Sequence, residues 1–114
     1  MPKRAAVLNR SGGKRPTPAS VPHRPHLRAW LQDPKNAAAY IEAALAEGDP
    51  GDLLHALRNV AEARGGIAQI AERTGLNREA LYRTLSKRGN PQLKSLAAIL
   101  SATGLRLSVR PAGR

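Results

Sequence analysis

Residues 66–85 read Gly-Ile-Ala-Gln-Ile-Ala-Glu-Arg-Thr-Gly-Leu-Asn-Arg-Glu-Ala-Leu-Tyr-Arg-Thr-Leu, the spacing of two short helices joined by a tight turn. Ala71 is small where two helices cross closely, and a larger side chain there would push them apart. Gly75 follows where the first helix must end in a left-handed residue, which glycine adopts without steric cost. Leu76, Leu81 and Leu85 then turn one face of the second helix inward. Asn77, Arg78, Glu79, Tyr82 and Arg83 are left outside, the positions from which a recognition helix meets base edges in a major groove. An ordinary helical hairpin with a glycine turn has the same spacing.

Charge separates these two readings better than the motif does. The net charge is +11, and its placement is uneven. Residues 1–28 hold seven Lys/Arg and no acid, whereas residues 29–79 hold five Lys/Arg and all eight acids. Residues 80–114 again hold seven Lys/Arg and no acid. A basic half that begins in the second helix of the motif suits a phosphate-facing surface, because each neutralised phosphate releases counterions. The acidic middle is repelled by nucleic acid and belongs on another side.

Composition limits the alternatives. A chain of 114 residues has room for one domain. It has no cysteine, so disulfide frameworks and thiolate metal sites are excluded. No apolar run approaches the ~20 residues of a membrane span, and no signal-peptide apolar region is present. The core must be aliphatic, since there is no Phe and the aromatic residues are Trp30, Tyr40 and Tyr82. His23, His26 and His55 lack the partners a metal site needs, and no phosphate-cradling glycine loop occurs, so neither a cofactor nor an enzymatic role is expected.

Outward from the motif, the chain is written in helices. Residues 1–28 carry Pro2, Pro16, Pro18, Pro22 and Pro25 and no apolar periodicity, so we expect a disordered basic tail there. The tail either adds non-specific phosphate attraction or lies upstream of the natural start. The domain is expected over 29–110, with the motif at about 67–86 and a tail at 111–114. Three starts pair a capping side chain with proline at the first helical position: Asp33-Pro34, Asp49-Pro50 and Asn90-Pro91. Five helices follow, at about 34–47, 50–64, 67–73, 78–86 and 91–102. The fold class expected is all-α, with a short C-terminal β-strand in which Leu105, Leu107 and Val109 alternate with Arg106, Ser108 and Arg110. That strand has no partner within the chain, so it pairs with another chain or remains an extended tail packed on the last helix.

A family resemblance rests on several of these residues together. Trp30-Leu31-x-Asp33-Pro34, then Ala39-Tyr40-Ile41-Glu42-Ala43-Ala44-Leu45-x-x-Gly48-Asp49, resembles the opening of the addiction module antidote family. Asn59-Val60-Ala61-x-Ala63-Arg64-Gly65 continues it, as do Ile70-Ala71-x-x-Thr74-Gly75-Leu76-x-Arg78-Glu79-x-Leu81-Tyr82-Arg83-x-Leu85-Ser86 and Gly89-Asn90-Pro91. The likeness closes at Leu96 and Gly104-Leu105-Arg106-Leu107 and spans about residues 29–109. It implies a HigA-like antitoxin of a bacterial type II toxin–antitoxin pair, cytoplasmic, with a fold similar to Cro-type repressors. The implied partners are a RelE-like mRNA-cleaving toxin and palindromic operator DNA bound by a homodimer. By motif position, Asn77, Arg78, Glu79, Tyr82 and Arg83 face DNA, and the toxin is covered by the N-terminal part around Trp30, Leu31, Tyr40 and Ile41.

Each candidate also has a plainer role. Arg78 and Arg83 can each fork onto guanine, or contact phosphate. Glu79 can accept from cytosine, or complement the helix dipole. Asn77 is a helix cap first, and Tyr82 is either a thymine-methyl contact or partly core. Lys87, Arg88 and Asn90 suit phosphate clamping, and Gln69 is a similar candidate. Trp30 is either an interface anchor or a staple over the bundle. A stand-alone repressor without a toxin, and an antidote that no longer reads DNA sequence, remain the alternatives.

Overall fold

Asp33 and Asp49 each do what their position before a proline predicts. In the computed structural model, which describes residues 21–86 and 88–112, the Asp33 carboxylate accepts from the Lys35 amide at 2.8 Å. Asp49 accepts from the Gly51 amide at 2.8 Å. Each cap satisfies a free backbone N–H while the following proline has none to leave unpaired. These caps open α2 (Pro34–Glu47) and α3 (Pro50–Ala63). α4 (Gly66–Thr74), α5 (Arg78–Thr84) and α6 (Leu93–Ala102) follow. Within α4 the Thr74 hydroxyl donates to the Ile70 carbonyl at 2.8 Å, and Gly75 then takes φ 78°, so the chain turns sharply into α5.

A sixth helix, α1 (Arg24–Trp30), precedes these in the segment expected to be disordered tail. Pro25 does not prevent it, because it lies in the first turn, where amide hydrogens have no intrahelical acceptor. Leu27, Trp30 and Leu31 share one helical face and pack on the core. Residues 1–20 of that expected tail lie outside the described residues, as do 113–114 of the C-terminal tail.

The third capping prediction fails. α6 begins at Leu93 after Gln92, which makes no side-chain cap, so Asn90 and Pro91 belong to the connection before it. The chain leaves α5 with Gly89 pressed against the Thr84 carbonyl. Extended backbone at Gln92 carries it clear before helix can resume.

The core is aliphatic, as the lack of Phe requires. Leu31, Val60, Ile70, Leu81, Leu85 and Ile99 are its largest fully buried side chains. α3 lies against α1, α2 and α4, and α4 against α5 and α6. Arg64, at the end of α3, donates from Nε to the Thr103 carbonyl at 2.6 Å and from Nη1 to the Gln32 carbonyl at 2.5 Å. Arg73 of α4 reaches the Ala102 carbonyl at 3.3 Å. Two cations thus meet the carbonyl end of α6, where the helix dipole is negative.

The expected C-terminal strand is absent among the described residues. Leu105 packs against the core and its amide donates to the Leu100 carbonyl at 2.9 Å, but residues 106–112 find no backbone partner among the described residues. An isolated segment has no ladder to join, so only its alternating sequence pattern persists.

Candidate functional site

α5 is short, and nearly every residue in it has a distinct task. Leu81 points into the core, followed by Leu85 at the helix end, and the pair fixes the rotation of the helix on the domain. Arg78, Glu79, Tyr82 and Arg83 therefore lie on the exposed side, as the spacing requires. Asn77 is the cap, its Oδ1 accepting from the Ala80 amide at 2.6 Å. Glu79 occupies the first turn, where a negative charge complements the helix dipole. Asn77, Arg78 and Glu79 line one open depression with Ala68 and Glu72 of α4.

Tyr82 is neither core nor free surface. It is 37% exposed, and the Arg58 guanidinium of α3 stands 5.0 Å over its ring centroid. Arg58 is itself paired with Glu62 one turn on, at 3.5 Å. A cation over an aromatic face is attracted by the ring quadrupole, which restrains the tyrosine at the surface. Sequence reasoning missed Arg58. The (i, i+4) spacing of Arg58 and Glu62 was the available signal, but nothing local announces that Tyr82 approaches them.

The remaining basic and polar candidates lie outside α5. Gln69 lines a separate depression with Gln32, Arg64, Arg73 and Thr103. Arg88 and Asn90 are exposed in the connection between α5 and α6. Asn90 therefore does not open a helix, and its expected amide-rich helix start lies instead at Leu93. Lys87 is outside the described residues.

Trp30 and Tyr40 form a second feature. Their rings meet edge-to-face, with centroids 6.3 Å apart and planes at 84°. Asn59 of α3 donates to the Tyr40 hydroxyl at 2.9 Å, and Asn36 donates to the Trp30 carbonyl at 3.0 Å. Both rings remain half-buried. Leu31 and Ile41 correct the expectation that placed them beside these rings on a partner-facing surface. Leu31 is wholly buried and Ile41 is 8% exposed, so both are core residues that a partner cannot reach in this fold. Each follows an aromatic residue and turns inward, Ile41 on the buried face of α2 and Leu31 at the C-cap of α1.

Among the described residues no cluster of His, Asp and Glu could hold a metal ion, and no helix is long and apolar enough to cross a membrane.

Comparison with known proteins extends over nearly this whole framework. The sequence model of the family described as "Probable addiction module antidote protein" matches residues 25–111, from the first turn of α1 into the segment that follows α6. A Haemophilus influenzae protein, described as an uncharacterized protein, is 35% identical over 71 residues, covering 62% of this chain and 72% of the relative. No solved structure matches the chain.

Proposed function

The chain belongs to the probable addiction module antidote family, and from that premise we propose that it is a cytoplasmic antitoxin with two surfaces. One, built on the exposed face of α5, binds operator DNA and represses the protein's own operon. The other, around Trp30 and Tyr40, covers a RelE-like mRNA-cleaving toxin. In this reading α4 and α5 act as a helix-turn-helix of Cro type.

The observation that carries the DNA reading is the division of α5. Leu81 and Leu85 anchor it inward while Arg78 and Arg83 stand exposed on a segment of chain that has no acid after Glu79. One such helix reads few base pairs, so a two-fold dimer reading half-sites ~34 Å apart suits operator-level specificity. Binding to a duplex from upstream of the reading frame tests it, against a scrambled duplex at several salt concentrations. Operator preference of roughly 10³-fold or more is expected. Equal binding to both duplexes would remove sequence reading and leave an antidote that acts through protein contact alone.

The toxin reading is tested in growing cells. The adjacent reading frame should arrest growth when expressed alone, and co-expression of this chain should relieve the arrest. Harmless neighbouring frames would favour a stand-alone repressor with the same DNA surface.

A further inference from the structure

Among the described residues, the segment after α6 carries an alternating pattern that the fold leaves unused. Leu107 is 49% exposed and Val109 is 97% exposed. Among the described residues, the backbone amides and carbonyls from Arg106 to Ala112 have no hydrogen-bond partner within the chain. Arg110 meets Glu42 of α2 at 3.4 Å, which brings the end of the segment to the α2 face carrying Leu45, itself 56% exposed. Unpaired backbone, alternating side chains and adjoining apolar surface are the ingredients of a strand awaiting a neighbour.

We propose that this segment pairs antiparallel with the same segment of a second copy, in a register centred on Leu107. The proposal deepens the homodimer in the functional reading above and rests on it. In a two-fold antiparallel pair, a residue at a given distance before the centre faces the residue at the same distance after it. Centring on Leu107 sets Leu105 opposite Val109, Leu107 opposite itself and Arg106 opposite Ser108. Apolar side chains then share one face of the ribbon, and no arginine faces an arginine.

The neighbouring registers are worse for stated reasons. Centring on Ser108 sets Arg106 opposite Arg110, and like charges directly opposed are destabilising. Centring on Val109 sets Leu107 opposite Pro111, which has no N–H for the ladder. Centring on Arg106 sets Arg106 opposite its own mate, again a directly opposed pair of like charges. A centre between two residues sets apolar side chains opposite polar ones throughout. The charge pattern also favours a copy over an arbitrary sheet edge, because this register is self-complementary without any acid in the segment.

Because the chain lacks cysteine, single substitutions report the register directly. Full-length Leu107→Cys, Ser108→Cys and Val109→Cys proteins are oxidised and resolved on non-reducing gels. Directly opposed residues lie within disulfide reach, so Leu107→Cys should cross-link. In this register Ser108 lies diagonal to its mate at ~7 Å, and Val109 lies some four residues along the ribbon from its own. Their dimer yield should be at least several-fold lower. Fastest cross-linking at Ser108, or equal yields at all three, overturns the register. Light-scattering mass supplies the second readout, with Leu107→Arg expected to be monomeric and to keep its helical circular dichroism. A dimer that survives Leu107→Arg and does not cross-link at Leu107→Cys overturns the strand pairing while sparing the homodimer. A monomeric native chain overturns both.

Discussion

At the scale of single residues, two glycines that look alike in the sequence carry different constraints. Gly75 holds φ 78° with nothing close to where a side chain would begin. Gly89 has ordinary backbone, but a Cβ there would land on the Thr84 carbonyl at the end of α5. Gly75→Ala should therefore cost about 1–2 kcal/mol, the backbone penalty of a left-handed L-residue. Gly89→Ala forces the connection away from α5 and should cost about 1–3 kcal/mol, the range of overpacked sites. Urea midpoints measure both. The two variants should also differ in DNA binding, since only Gly89 lies within the basic connection that holds Arg88. If Gly89→Ala matches the parent in both stability and affinity, the close approach has no consequence. Gly75 was legible because a helix end, a glycine and a following leucine are local. Gly89 was not, because its neighbour is a carbonyl whose position depends on how α5 ends.

Elements show the same division between local and distant causes. The starts of α2 and α3 were readable because cap, proline and first amide lie within three consecutive residues, Asp33 to Lys35 and Asp49 to Gly51. Asp33→Ala should lower stability by about 1 kcal/mol, the usual worth of such a cap, seen as a lower melting temperature. An unchanged melting temperature would mean that packing alone holds the start of α2. α1 escaped notice because its one apolar face, Leu27, Trp30 and Leu31, is too short to display a period and lies among prolines. α6 was placed too early because Asn90-Pro91 repeats the local signature of the other two starts. What vetoed it is the path the chain must take around the end of α5. The side-chain assignments split likewise. Spacing put Arg78, Glu79, Tyr82 and Arg83 on the exposed side of α5 correctly. Family resemblance named a neighbourhood around Trp30 and Tyr40 but could not tell that Leu31 and Ile41 turn inward.

Across the whole molecule, α3 is the element on which both candidate surfaces depend. Its Asn59 holds the Tyr40 hydroxyl, and the adjacent Arg58 covers Tyr82 on α5. The two proposed functions are therefore close in structure yet carried by different side chains, and substitution should separate them. Arg83→Ala removes an exposed guanidinium and no core contact, so operator affinity should fall by about 1–3 kcal/mol with toxin rescue retained. Trp30→Ala opens the aromatic pair and should weaken rescue while operator affinity stays within twofold. Equal loss of both functions in either variant would signal a folding defect, which melting curves would reveal.

Charge supplies the last test at this scale, because phosphate attraction acts through every exposed cation and base reading through few. Operator affinity should fall linearly on a log–log plot against salt. Arg88→Ala should flatten that line by about 2, one phosphate from each copy of a dimer, and weaken operator and scrambled duplex alike. Arg83→Ala should instead narrow the gap between the two duplexes. A slope unchanged by Arg88→Ala would take the connection between α5 and α6 off the DNA surface. The footprint would then be confined to the exposed face of α5, where Arg78 and Arg83 are the cations that remain to carry it.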